Sequence, residues 1–252
     1  MASVAIIVPN YNCERFLAEC IDSVLSQGVD VDCLVMDGGS SDGSVEILKG
    51  YGDRIRWVSE QDEGQADAID KGLRLVSAPL VGWLNSDDML EDGALSRILD
   101  AARERPDAVL FHGDLIRVDA EGEQIAYSVA SDLEYEKMRR GLAKTIQPGS
   151  IYRAEAVRAC GGVDKRFHLL MDVDLWIRLL RIGPAARIHA PLARFRVHED
   201  AKSSQAPYRY YRESLWLALL HERDRLAIAL VRRCLRIALN FARYEFRKLR
   251  TA

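Results

Sequence analysis

The sequence predicts an α/β fold with a mainly parallel sheet flanked by helices. Short β-prone runs alternate with segments of helical periodicity through the N-terminal half. The first run, residues 4–8, is apolar at every position, as expected for a strand that is covered on both faces. Polar residues follow several of these runs directly. The alternation therefore predicts right-handed crossovers between parallel strands.

The predicted elements follow one another as βα units. The predicted strands are 4–8, 32–36, 55–59, 80–84 and 108–111, and the helices between them are 16–25, 44–50, 65–76 and 92–105. Beyond residue 120 or so the alternation weakens. We expect a hairpin over 115–129, a short helix over 133–142, a strong helix over 172–182 and a last strand that ends at Val197.

Bulk composition predicts an ordinary folded protein. A chain of 252 residues can bury one sizeable core, and its 48% hydrophobic and 29% charged content argues against wholesale disorder. Neither a signal peptide nor an apolar stretch of ~20 residues is present. The five cysteines have no metal-binding spacing, which favours a reducing compartment. We therefore expect a cytoplasmic protein with no nucleic-acid partner.

Charge divides the chain unevenly. After residue 207, eleven Lys and Arg face four acids, which gives net +7 and leaves −10 for the remainder. We predict a catalytic domain over 1–204, made of a nucleotide-sugar-binding half (1–115) and an acceptor and catalytic-base half (116–204). Residues 205–252 form a predicted basic amphipathic helical tail. Such a tail could lie on an anionic membrane surface, pack on its own domain or form a homodimer.

Two adjacent acids follow the fourth predicted strand, in the segment Asn85-Ser86-Asp87-Asp88. Adjacent carboxylates repel, so a divalent cation or ribose hydroxyls would stabilise them. The alternative is a helix N-terminal turn, where the helix dipole favours acids. Because ligands of parallel sheets bind at the carboxyl ends of the strands, we expect this segment near a ligand.

Two further acids are candidates for recognition and chemistry. Asp37 ends the second strand before a glycine-rich loop, where it could accept hydrogen bonds from a base edge or stabilise the turn. Asp172 shares a helix face with Trp176 and has no Lys or Arg three or four residues on. It is therefore a general-base candidate, or else a simple helix N-terminal acid. Asp174 has Arg178 at i+4, which predicts a surface ion pair.

Together these segments resemble the family-2 glycosyltransferases of GT-A fold. The resemblance covers roughly residues 3–200 in order. It rests on the segments IIVPNYN (6–12), Asp37 to Ser44, EQDEGQADAIDKG (60–72), GWLNSDD (82–88), HGD (112–114) and MDVDLWIRL (171–179). Bacterial members that build cell-surface polysaccharides resemble the chain most.

The resemblance implies a role for each matching position. The positions that hold the donor nucleotide are Pro9, Tyr11, Asp37, Asp67 and Asp87. Asp88 and His198 match positions at the metal, with Asp88 predicted to contact it directly, although His198 could equally be a surface residue. Asp172 matches the catalytic base. The motif reads Ser-Asp-Asp instead of Asp-x-Asp, which leaves open which carboxylate contacts the metal.

The implied activity is inverting transfer of a sugar from a nucleotide-diphosphate sugar to an acceptor hydroxyl. It implies Mg²⁺ or Mn²⁺ as cofactor, a UDP-sugar as the default donor and a saccharide or lipid-linked saccharide as acceptor. An acceptor of that kind would place the enzyme peripherally on the inner membrane face. Two alternatives are a sugar nucleotidyltransferase and a noncatalytic scaffold of the same fold. The chain lacks the glycine-rich basic loop with which the first alternative would bind a triphosphate, and the retained acids argue against the second.

Overall fold

The structure is a computed structural model that describes residues 2–199 and 207–221. Its strands are β1 (Val4–Asn10), β2 (Val31–Asp37), β3 (Arg56–Ser59), β4 (Leu80–Trp83), β5 (Met89–Leu90), β6 (Leu110–Val118), β7 (Gln124–Ser128), β8 (Ile151–Arg153) and β9 (Ala185–Arg196). Its helices are α1 (Glu14–Leu25), α2 (Ser44–Gly50), α3 (Gln65–Leu75), α4 (Ala94–Glu104), α5 (Tyr135–Arg139), α6 (Ala154–Ala159), α7 (Met171–Leu179) and α8 (Pro207–His221).

Within these residues, nine strands form one sheet. Eight lie in the order β3-β2-β1-β4-β8-β6-β9-β5, and β7 pairs with β6. The first four strands of this order are parallel, which confirms the predicted βα units. The fifth predicted strand is the start of the long β6. It does not adjoin β4, because β8 lies antiparallel between the two. The predicted hairpin is present as β6 and β7.

The sheet is buried on both faces, as the apolar first strand predicts. Alternate residues of β1 point to opposite sides. Ala5 and Ile7 join a hydrophobic cluster with α3 and α7, whereas Val4, Ile6 and Val8 join a second cluster with α1 and α4. Helices therefore pack on both faces of the sheet. The polar loops at the strand ends lie outside these two hydrophobic clusters.

Helix α8 packs on the layer that contains α7. Leu217 is fully buried in that cluster, and the ring of Trp216 lies 5.1 Å from the ring of Phe167. The predicted domain boundary at 204/205 therefore separates segments that contact each other. The later part of the predicted tail, residues 222–252, lies outside the described residues.

Two further expectations concern membranes and cysteines. None of the described helices is both long and apolar enough to span a bilayer. The described cysteines, Cys13, Cys20, Cys33 and Cys160, are all free thiols.

Candidate active site

A cavity of about 840 Å³ opens at the carboxyl ends of β1, β2 and β4 and reaches the first turn of α7. A volume of this size is typical of small-molecule sites. The predicted site residues that line it are Pro9, Tyr11, Asp87, Asp172 and His198. Asp37, Asp67 and Asp88 do not line it. The cavity therefore unites the two halves of the chain.

One end of the cavity lies between the loops that follow β1 and β2. The ring of Tyr11 is 66% exposed there, opposite the backbone of Gly38 and Gly39. Asn12 joins the loops, since its side-chain oxygen accepts a hydrogen bond from Ser41 N at 2.8 Å. Gly39 has φ +79°, a left-handed conformation that glycine adopts without strain. This end offers an aromatic face and exposed backbone to a flat ligand.

Asn10 and Asp37 form a polar cluster beneath those loops. The Asp37 carboxylate accepts hydrogen bonds from Asn10 Nδ2 at 2.7 Å, Ser40 Oγ at 2.5 Å and Ser59 Oγ at 2.6 Å. Burial acts to raise the pKa of Asp37, but these hydrogen bonds lower it below its usual value. The acceptor positions of the Asp37 carboxylate are thus used by hydrogen bonds within the protein. Asn10 is part of the cavity wall, and its Oδ1 is buried without a partner among the described residues.

Asp67 lies in the first turn of α3 and links it to the loop before α7. Its carboxylate accepts from Lys165 Nζ at 2.8 Å and from Lys71 Nζ at 3.3 Å. The Lys165 ammonium is the main reason why the pKa of Asp67 falls to about 2. Asp67 therefore fastens two parts of the cavity wall and does not face the cavity.

The acids after β4 face in opposite directions. Asp87 faces the cavity, where its Oδ2 lies 3.1 Å from His198 Nε2. Asp88 is fully buried. Its Oδ1 accepts from Arg196 N at 3.1 Å and its Oδ2 from Asn85 Nδ2 at 3.2 Å. Burial and the neighbouring Asp87 charge raise the pKa of Asp88 well above its usual value. This placement does not favour the direct metal contact predicted for Asp88.

Arg196 reinforces the connection between β9 and the acid segment. It is 1% exposed, and its guanidinium donates to the backbone oxygens of Asp87 and Ala120 at 3.1 and 2.8 Å. It also pairs with Glu19 of α1 at 2.5 Å. The end of β9 is therefore held so that His198, two residues later, reaches Asp87.

Asp172, in the first turn of α7, also lines the cavity. It is half-buried and has no Lys or Arg partner among the described residues. Burial raises its pKa to about 6, and the negative charge of Glu213 on α8 adds to this increase. An acid with this pKa is partly protonated near neutrality and can exchange a proton with a bound hydroxyl.

The neighbouring Asp174 differs from the prediction. Instead of forming a surface ion pair, it is 2% exposed and accepts from both Arg178 Nη2 at 2.6 Å and His221 Nε2 at 2.8 Å. Helix α8 covers this position, which the local i+4 spacing could not reveal. Asp174 therefore stabilises the helix while Asp172 faces the cavity.

The charge of the cavity lining is unbalanced. Among the described residues, three carboxylates line it (Asp62, Asp87 and Asp172), and neither Lys nor Arg does. The described part of the chain also contains no cluster of three or more His, Cys, Asp or Glu side chains that could hold a metal alone. A cation bound at Asp87 and His198 would need further ligands from a substrate or water.

Several lining residues were not singled out from the sequence. Asp62 and Gln61 follow β3 at the same sheet edge, where the strand-end rule applied to β3 would have found them. Gln65 also lines the cavity, and its amide donates to Asn85 Oδ1 at 2.5 Å. His168 lies in the loop before α7 and carried no sequence signal.

Comparison with known proteins places the sequence among glycosyltransferases. The family model described as "Glycosyl transferase family 2" matches residues 5–161. A chondroitin synthase of Escherichia coli is 26% identical over 190 residues, covering 74% of this chain and 28% of the relative. An uncharacterised glycosyltransferase of Rickettsia felis is 25% identical, covering 87% of this chain and 38% of the relative. The chain thus spans well under half the length of these two relatives.

Solved structures match the fold. The S. aureus TarS structure in complex with UDP-GlcNAc has a TM-score of 0.69 at 16% identity, covering 86% of this chain and 66% of that one. The mannosyltransferase PcManGT from Pyrobaculum calidifontis, in complex with GDP-Man and Mn²⁺, has a TM-score of 0.65 at 16% identity. It covers 88% of this chain and 65% of that one. These matches confirm the predicted GT-A type of fold.

Proposed function

Because this chain belongs to glycosyl transferase family 2, we propose that it transfers a sugar from a nucleoside-diphosphate sugar to an acceptor hydroxyl with inversion and with a divalent cation. The observation that carries the proposal is the arrangement of the cavity. Asp172, a carboxylate without a Lys or Arg partner among the described residues, lines the same cavity as the carboxylate–imidazole pair Asp87 and His198.

The cavity lining supports the use of a metal. A bound diphosphate carries negative charge, yet the described lining contributes carboxylates and no Lys or Arg. Asp87 and His198 would hold Mg²⁺ or Mn²⁺ together with phosphate oxygens, as is usual for such cations at phosphate sites. The ion, when bound, neutralises charge on the departing diphosphate. Mn²⁺ is present in the PcManGT complex.

The loops that follow β1 and β2 would bind the nucleoside. Tyr11 presents an aromatic face, while the Asp62 carboxylate in the cavity lining is a hydrogen-bond acceptor. Acceptors suit bases that carry a ring N–H, such as uracil, thymine and guanine. A UDP-sugar remains our default donor, and UDP-GlcNAc is the ligand of the TarS complex.

Asp172 would act on the acceptor. Its carboxylate takes the proton of the attacking hydroxyl while that oxygen bonds to the anomeric carbon. The bond from that carbon to the diphosphate oxygen breaks on the opposite face, so the configuration inverts. The electron pair of the broken bond leaves with the nucleoside diphosphate. No covalent enzyme intermediate is required.

The remaining predicted residues take positioning roles in this proposal. Asp37 and Asp67 stabilise the loops around the donor through the hydrogen bonds and ion pairs described above. Asp88 anchors the backbone of Arg196, which places His198 beside Asp87. We therefore assign direct metal contact to Asp87 instead of Asp88.

Donor turnover tests the proposal directly. We would incubate the protein with UDP-, GDP- and dTDP-sugars and Mn²⁺, with EDTA as control, and follow thermal stabilisation and nucleoside-diphosphate release. NMR of the product gives its anomeric configuration. Pyrophosphate release from a nucleoside triphosphate would instead support a nucleotidyltransferase. Donor binding without any turnover across a panel of saccharide acceptors would support a scaffold.

Acceptor class and location are also proposals. Chondroitin and hyaluronan synthases among the relatives favour a saccharide acceptor in polysaccharide synthesis. The basic composition of residues 222–252 suits an anionic membrane, where a lipid-linked acceptor would be present. Sedimentation with anionic liposomes tests this proposal. The control is a variant truncated after His221, which should no longer sediment with the liposomes. A cut after Ser204 would also remove the packed helix α8.

A further inference from the structure

Glu213 of α8 reaches the segment that leads into α7. It is 2% exposed, and its carboxylate accepts from the backbone nitrogens of His168, Leu169 and Leu170 at 3.1, 2.8 and 3.1 Å. The first backbone nitrogens of a helix have no partner within the helix and attract negative charge. Leu170, at the N-cap of α7, makes no side-chain cap of its own. These three nitrogens precede α7 and reach only its N-cap residue, so Glu213 caps the entry segment 168–170 from another helix.

A second contact holds the two helices together. His221, at the end of α8, lies 2.8 Å from Asp174 Oδ1 in the first turn of α7. Leu217, between Glu213 and His221, is fully buried in the adjoining core. Asp172 lies between the capped segment and Asp174 in sequence. Its backbone is therefore held on both sides by one helix.

We propose that Glu213 is a positioning residue for the catalytic base, holding the entry of α7 so that the Asp172 carboxylate faces the acceptor. This inference rests on the proposed function. Glu213 does not line the cavity, so it acts on substrate only through Asp172. A hydrophobic residue at 213 would fill the same core position but remove the acceptor of three backbone donors, of which Leu170 N is buried.

Charge gives the proposal a second signature. Glu213 is negative and opposes ionisation of Asp172, so removing its charge lowers the pKa of Asp172. The other titratable or charged groups on the elements packed around the base are His112, Tyr152, His168, Asp174, Arg178 and His221. Asp174 is neutralised by its own partners. Changing Glu213 alone therefore isolates its effect.

The experiment compares Glu213→Gln and Glu213→Ala with wild type. We expect kcat to fall on the order of 10²-fold in Glu213→Ala, because the base is misplaced, with the donor KM nearly unchanged. Glu213→Gln keeps one acceptor oxygen and should retain more activity. Its acid limb in the kcat profile should move to lower pH. Leu217→Ala is the matched control, since it loosens α8 without touching the cap.

A titration without substrate separates this inference from the proposed function. The ¹³C carboxyl resonance of Asp172, assigned by its loss in Asp172→Asn, should titrate at lower pH in Glu213→Gln than in wild type. Failure of wild type to turn over any donor would reject the proposed function, while this titration would still test Glu213. A loss of stability alone, with kcat and the Asp172 titration as in the Leu217→Ala control, would overturn the inference.

Discussion

Two segments each carry two neighbouring acids, Asp87 with Asp88 and Asp172 with Asp174. In each segment the first acid lines the cavity and the second is buried, but the buried acids have different partners. Asp88 accepts from a backbone nitrogen 108 residues away and from an asparagine amide. Asp174 is paired with Arg178 in its own helix and with His221 of α8. The buried acid of the first pair thus connects distant strands, whereas that of the second stabilises a helix. Acids that are close in sequence therefore need not share a function.

The largest expected effect is on Asp172. Replacing it with Asn removes the proton acceptor but keeps the size of the side chain. We expect transfer to fall on the order of 10³-fold, within the usual range for general-base catalysis, while donor affinity stays near wild type. Steady-state kinetics and calorimetric donor binding measure the two quantities. Turnover like that of wild type would remove Asp172 from the mechanism.

Asp87→Ala should weaken Mn²⁺-dependent donor binding on the order of 10²-fold, because the cation loses a carboxylate ligand. Asp88→Asn is the matched control. It keeps an oxygen for Arg196 N and should cost about tenfold, the lower end of the usual range for residues that support a metal ligand. Calorimetry with UDP and Mn²⁺ distinguishes them. A greater loss in Asp88→Asn would return the metal contact to Asp88 and break the comparison.

The pH dependence should reveal which acid works as the base. Since the pKa of Asp172 is raised to about 6 and the base must be ionised, kcat/KM should rise with pH up to that value. Below it, kcat/KM should fall about tenfold per pH unit. Profiles measured at saturating Mn²⁺ would check this. An acid limb near pH 4 would contradict the raised pKa.

The smallest catalytic effect should follow from Asp174→Ala. Removing one partner of a buried ion pair leaves Arg178 uncompensated, which costs about 3 kcal/mol of unfolding free energy. The folded variant should lose less kcat than Glu213→Ala, because Asp174 does not line the cavity and the contacts of Glu213 with the segment before α7 remain. Urea denaturation and kinetics well below the melting temperature separate the two effects. A large loss of kcat in folded protein would make the pairs more alike than we propose.

Sequence could predict the donor side of the fold well, because its signals are local. Each βα unit is visible in the sequence as a change of hydrophobic periodicity. Pro9, Tyr11 and Asp87 follow predicted strands, and all three line the cavity, as expected for residues at the carboxyl ends of parallel strands. The same rule could not tell that Asp37 points inwards, since that depends on Ser40 and Ser59 after folding. Residue roles at the donor site therefore remain predictions even where the elements are confirmed.

The base side depended more on distant contacts. Lys165 pairs with Asp67 across 98 residues, and Glu213 caps a loop more than forty residues before it. No pattern of spacing contains such information. Charge and helical amphipathicity assigned residues 205–252 to a tail, with packing on its own domain as one alternative. Helix α8 packs on the core that contains α7, and residues 222–252 lie outside the described residues.

The late position of Glu213 has a consequence for biosynthesis. As the chain leaves the ribosome, the strands and helices of the donor half can fold well before residue 213 is made. During that interval the entry segment of α7, residues 168–170, lacks its contact with Glu213. A nascent or prematurely ended chain would then hold a nucleotide cavity whose base is not yet fixed. Under the proposed mechanism, acceptor chemistry would then wait until helix α8 has docked.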